Sequence, residues 1–328
     1  MRSIGVQFKI NHDDFIGNFP SHVESFFKHT DPGDFIIFPE DIGFLVAFKG
    51  ITSQTSIEAI QVLYSNNQKE IDSIATENEL QNFTSAIFLS LTSRFIVDFY
   101  DLFSSLSKKY SVYTLTCNNM SRFLRKGEKV VFSEPAVYNT AFVFDPSGEL
   151  IFKQDKVFLT QTELDLGISG GDVSRVSTFE LEGRKFGIAI SLDAFVPEYI
   201  SRLTDAEVII QPDANPGKWN SYLSNGRWQP EEWMDSAYYL AQRMQRVKYV
   251  VNPMMVGNLY EMRFEGQSAI MKKAEERDSR MGYIGNAPST GFHSLIGIPG
   301  YDRFNHLKRE DVVNKSLEYD EGMIELEL

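Results

Sequence analysis

The stretch FGIAISLDAFVPEY, residues 186–199, constrains the chain more than any other. An apolar strand runs unbroken to Ser191, turns sharply through Leu192 and Asp193, and feeds a helix from about residue 197. A strand that ends this way thrusts one side chain up at its end, which is the build of a nucleophile elbow. Ser191 is the side chain so presented.

The rest of the chain supplies strands and helices in mixed order. SIGVQF (3–8) reads as a short strand and FIIFPE (35–40) as an apolar strand ending on a carboxylate. Between them, residues 13–29 predict a helix with Asp13 as its N-cap, its start delayed by Pro20. Helical periodicity runs from about 55 to 109, with Ile57, Ile60, Leu63 and Ile71 expected on one core-facing stripe. YSVYTLTC (110–117) is a strand, and residues 138–156 form a hairpin around Asp145-Pro146-Ser147-Gly148. After the elbow come a strand at 206–212, a helix at 230–249, strands in VVNPMMVG and GQSAIM, and an edge-type tail, DEGMIELEL. Residues 3–40 and 185–212 share a strand–helix–strand order, a faint sign of two similar halves packed sheet to sheet. No Ser/Gly-rich linker divides the chain, so one α/β domain over 1–328 is expected, with a longer charged C-terminal region from about 271.

Charge narrows the partners. Acidic residues outnumber basic ones 45 to 32, a net charge of −13, and no Lys/Arg-rich run exists, so nucleic acid is not an expected partner. The N-terminal residues lack a signal-peptide core and no apolar run reaches membrane-spanning length. The single cysteine, Cys117, forms no intrachain disulfide and offers no metal cluster. A cytoplasmic protein with no membrane partner, no metal and no organic cofactor is the expectation.

Three candidate groups close strands or hairpins: Glu40, Lys156 and Ser191. A glutamate can take a proton from a nucleophile and deliver it to a leaving amine. A lysine, helped by the backbone N–H of Leu192, can stabilise a tetrahedral oxyanion. Each residue alone is more often structural: a solvated carboxylate, a surface lysine, a turn serine.

The order of these motifs resembles the nitrilase, or carbon–nitrogen hydrolase, superfamily over nearly the whole chain. IIFPE resembles the family's Pro-Glu strand end, YNTAFVFDPSGELIFKQDKVFL its lysine hairpin, and GIAISLDAFVPE its elbow, with Asp193, Pro197 and Glu198 in register. NPMMVGN, FEGQSAI and the tail also fit. The resemblance implies a four-layer α-β-β-α sandwich that forms homodimers or higher homo-oligomers. It implies Glu40 as general base, Lys156 as oxyanion lysine and position 191 as nucleophile. Glu163 becomes a candidate supporting carboxylate, and Tyr138, Asn215 and Trp219 candidate pocket residues. The implied reaction is hydrolysis of a small-molecule amide or nitrile, amide before nitrile, through a covalent acyl-enzyme and without a cofactor.

The chain departs from the family where it matters most, because the family nucleophile is cysteine and position 191 is serine. Phe158 stands where a histidine is common, and MKKAEERDSRMG replaces a Pro-x-Gly turn. A thiol can be ionised by a nearby lysine; a serine hydroxyl needs a well-oriented base such as histidine. None of the five histidines, at 12, 22, 29, 293 and 306, lies in a family motif. Three readings stand: a cysteine hydrolase carrying an inactivating serine, a natively silent binding or scaffold protein, and an active serine enzyme. Cys117 reads as a buried, inert thiol rather than a substitute nucleophile.

Overall fold

The computed structural model describes residues 1–274, 292–296 and 318–328. Two sheets face each other. The first contains β1 (Arg2–Ile10), β2 (Phe35–Ile37), β3 (Tyr113–Lys126), β4 (Lys129–Phe144) and β5 (Leu150–Asp155). The second begins with β6 (Phe179–Leu181), β7 (Arg184–Ile188) and β8 (Val208–Ile210). The chain then returns to the first sheet as β9 (Asp213–Ala214), to the second as β10 (Tyr249–Asn252), and to the first as β11 (Met254–Leu259) and β12 (Met262–Phe264). It finishes with β13 (Ala269–Lys272) and β14 (Phe292–Leu295) in the second sheet and β15 (Gly322–Glu327) in the first. The orders are β12-β11-β1-β2-β3-β4-β5, with β15 on β1 and β9 on β11, and β14-β13-β10-β8-β7-β6.

Residue alternation explains why the central strands are apolar throughout. In β2, Phe35 and Ile37 pack between the sheets while Ile36 faces the helices. In β8, Val208 and Ile210 face inward and Ile209 faces out. A strand buried on both faces has no polar positions to show. The outer layer on the first sheet comprises α1 (Phe19–Phe27), α2 (Phe44–Ala47), α3 (Ser56–Glu77), α4 (Phe83–Ser90), α5 (Thr92–Phe95) and α6 (Asp101–Tyr110). After the short α7 (Gln161–Asp165), α8 (Pro197–Ile200) and α9 (Gln229–Arg243) cover the second sheet. The result is the expected helix–sheet–sheet–helix layering. The internal echo is real at the level of topology: β1 and β2 pair in parallel around α1, as β7 and β8 do around α8.

Several local expectations need correction. Asp13 makes no capping bond; the chain runs through a wide turn at Asp14–Asn18, and the regular helix starts at Phe19 with Pro20 in its first turn. The helix expected to reach 249 stops at Arg243, because Tyr249 is drawn into parallel pairing with Val208. Ile57 is 66% exposed, so the α3 stripe rests on Leu63 and Ile71, with Ile60 half-buried. The hairpin of β3 and β4, turned at Gly127 with φ 62°, extends well past the strand expected at 110–117. Most of the charged region from 271, including His306, lies outside the described residues.

Candidate active site

Parallel strands set the site, because β2 and β5 run the same way and β7 ends against them from the second sheet. Glu40 follows β2, Lys156 follows β5, and Ser191 follows β7 by three residues. Two backbone positions here carry positive φ, Asp41 at 60° and Ser191 at 48°. Non-glycine residues rarely adopt this conformation, and such strain clusters where a side chain must be aimed.

Lys156 is 1% exposed, with its Nζ 2.8 Å from Glu40 Oε1 and 2.9 Å from Glu163 Oε1. Asn139 Nδ2 donates to the same two oxygens at 2.7 and 3.2 Å. The remaining oxygen of Glu40 accepts the Ala214 N–H at 3.1 Å. Glu163 is fixed by its own helix start: Thr160 and Glu163 form a capping box, with Glu163 Oε2 accepting both the N–H and the hydroxyl of Thr160. Asp193 ties the elbow to the lysine segment, accepting N–H bonds from Val157 and Phe158 at 3.2 and 2.8 Å.

The two glutamates are pushed apart. For Glu40, burial and the negative charge of Glu163 outweigh Lys156 and Asn139, so its carboxyl titrates above its ordinary value. For Glu163, burial is outweighed by Lys156 and the Thr160 bonds, and its carboxylate is held below it. Burial would strip Lys156 of its proton, but two carboxylates hold it firmly protonated. Environments that separate two acids in this way give them different roles. Burial also pushes Asp193 up to about 7, and Asp41 and Asp213 well above the carboxylate range.

A cavity of about 270 Å³ opens on this cluster, and Glu40, Lys156, Glu163, Asp41 and Ser191 all line it. The three residues picked out first in the sequence, and Glu163, therefore share one chamber. Leu192 is half-buried beside Ser191. Tyr138, Asn215 and Trp219 are not lining residues. Tyr138 stacks with the Arg122 guanidinium at 4.8 Å; alternation along β4 buries Asn139 beside the glutamates instead. Asn215 bonds the carbonyls of Gly217 and Glu265, and Trp219 is buried with Nε1 on Gln267; the lining from this segment is Ala214 and Pro216. Cys117 is fully buried between the sheets, its thiol pushed far up by burial. Asn139 and Asp41 escaped the sequence reading, although the alternation next to Tyr138 and the position after Glu40 could have flagged them.

A profile of the Carbon-nitrogen hydrolase family matches residues 97–274, over half of the chain. The chain belongs to the carbon-nitrogen hydrolase family. One curated relative, a hydrolase of Schizosaccharomyces pombe, is 29% identical over 116 residues, a stretch that spans 33% of this chain and 36% of that protein. Among solved structures, Saccharomyces cerevisiae Nit3, a member of branch 10 of the nitrilase superfamily, superposes with a TM-score of 0.53 at 19% identity, covering 90% of this chain and 86% of that one. A carbon-nitrogen hydrolase from Helicobacter pylori G27 gives 0.55 at 14%, covering 83% and 82%. An amidase from Nesterenkonia sp. gives 0.54 at 12%, covering 100% and 90%. These structural likenesses establish the shared fold. Among the described residues, no helix is long and apolar enough to cross a membrane, and no group of three His, Cys, Asp or Glu side chains could hold a metal ion.

Proposed function

We propose that this carbon-nitrogen hydrolase fold serves amide hydrolysis at a site built from Glu40, Lys156 and position 191. The observation that carries the reading is the shared cavity: a buried lysine clamped by two glutamates opens on the same 270 Å³ space as the elbow serine. In the cysteine-bearing form, Glu40 takes the nucleophile's proton as sulfur attacks the amide carbonyl. Lys156 and the Leu192 N–H steady the oxyanion, and Glu40 returns the proton to the departing amine. Water then attacks the thioester by the same route, releasing the acid. Glu163 keeps Lys156 charged and in place. With Ser191 the first proton transfer fails for want of a strong base, so this chain binds amides without appreciable turnover. The molecule functions as a homodimer, which sedimentation tests.

Replacing Ser191→Cys and measuring ammonia release from short amides, nitriles and carbamoyl compounds tests the proposal. Turnover in the variant supports it. A second reading, a silent small-molecule binder, is favoured by the serine itself and by the site of the one buried histidine among the described residues: His22 is committed to Asp14 and Glu321. Absence of turnover across the panel favours that reading. An ester adduct on Ser191 in the unaltered chain would instead make serine the working nucleophile.

A further inference from the structure

The ionisable groups of the cavity cluster around Lys156, while its other polar lining residues are Asn119, Ser191 and the hydroxyl residues Ser56, Thr84, Thr160 and Thr162, with Ser56 already bonded to Glu261. Its ionisable lining residues are Lys156, Glu40, Glu163 and Asp41. The lysine and the glutamates are already joined in one cluster, and Asp41 accepts a bond from Asn119 Nδ2 at 2.9 Å. The walls come from α2, α3, α4 and the β11–β12 hairpin, through side chains such as Phe44, Ile60, Leu63, Phe88, Leu259 and Phe264. Thr160 and Thr162, both exposed, lie where the cavity meets solvent. The lining thus offers a charged end for a reacting amide and a hydrocarbon wall for whatever the amide carries.

That wall excludes a charged acyl tail. A carboxylate or ammonium placed against it would lose its hydration and find no counter-ion on that wall, which is far costlier than burying a methylene. Volume sets the size. An apolar cavity of about 150 Å³ takes benzene, six heavy atoms. At the same packing, 270 Å³ takes about 11 heavy atoms, which is an amide group plus roughly eight further carbons.

We propose that the substrate class of this site is an uncharged primary amide with a hydrocarbon acyl group of about six to eight carbons. This rests on the amide reading above and narrows it. The acyl chain lies along the α3–α4 wall while its carboxamide meets Lys156 and Ser191.

The test is calorimetric titration of the unaltered chain with propanamide, butanamide, hexanamide and octanamide, and with adipic acid monoamide as the charged counterpart of hexanamide. The expected result is one saturable site whose Kd falls roughly three- to fourfold per added methylene. The monoamide should bind at least 30-fold more weakly than hexanamide. Ile60→Lys, at a half-buried wall position, should reverse that preference by supplying a cation. Equal binding at all chain lengths, equal binding of the charged amide, or no reversal in Ile60→Lys overturns this inference. If short amides nevertheless bind, or are turned over by Ser191→Cys, the proposed hydrolysis stands without it. If no amide binds and Ser191→Cys is inert, the proposed function falls, and this inference falls with it.

Discussion

Two clusters built on one plan, a base between two acids, sit in different parts of the molecule. Lys156 lies between Glu40 and Glu163, at 2.8 and 2.9 Å. His22 lies between Asp14 and Glu321, at 2.9 and 2.6 Å. Each is one base held by two acids, and each joins segments far apart in the chain. The first opens on a 270 Å³ cavity; the second is packed against the rings of Phe8 and Phe26, centroids 4.4 and 5.7 Å away, and ties the C-terminal segment to α1. Charge and burial are therefore not what marks a site. Space beside the charges, and a strained side chain aimed into that space, are.

The two clusters should differ most when Lys156 is removed. Lys156→Met leaves two carboxylates facing each other in the interior, and unfolding by denaturant should show a loss of about 3–5 kcal/mol. Lowering the pH should recover part of it, as Glu40 and Glu163 take up protons. A loss below 1 kcal/mol would mean that the cluster is open to water.

His22→Gln should cost less, and only in part of the pH range. Burial would lower the His22 pKa, but hydrogen bonds to Asp14 and Glu321 raise it from 6.5 to about 9. A folded value above the unfolded one stabilises fully below pH 6.5, and the contribution is lost as pH rises through 9. Screening through the exposed Glu321 holds its full size to about 2 kcal/mol, and the difference between parent and variant should shrink between those limits. A pH-independent difference would show that packing, not charge, carries the effect. Binding of amides should be unchanged in this variant, which separates the structural cluster from the candidate site.

Near pH 4 the smallest effect is expected at Asp41, where burial raises the carboxyl well above its ordinary 3.8. The folded chain keeps this group protonated while the unfolded chain ionises it, so the parent loses stability as pH climbs from about 4 toward the folded value. Asp41→Asn should change stability near pH 4 by less than about 1 kcal/mol, and should remove that part of the pH dependence. Denaturation curves at several pH values would show it.

The frame and the principal side chains were legible because they lie at strand ends with strong patterns. FIIFPE and GIAIS are apolar on both faces, which forces burial between layers, and the residues that follow them must emerge at the sheet edge. The cavity walls were not legible. They come from α2, α3, α4 and the β11–β12 hairpin, whose apolar residues serve the core and the cavity alike. Sequence pointed to Tyr138 as a pocket residue where its neighbour Asn139 is the one that meets the glutamates, since a strand's register decides that and local residue type does not. The cut-off of α9 at Arg243 depended on a pairing between Val208 and Tyr249, 41 residues apart, and no local signal carries it.

In the proposed mechanism Glu40, Lys156 and residue 191 act on one carbonyl. Rapid-quench mass spectrometry of Ser191→Cys mixed with hexanamide tests it most directly, with buried Cys117 as an internal control. The expected result is a hexanoyl mass increase on the peptide containing residue 191, none on the peptide containing Cys117, and loss of the adduct when Glu40→Gln is added. No adduct, an adduct on Cys117, or one indifferent to Glu40→Gln would contradict it.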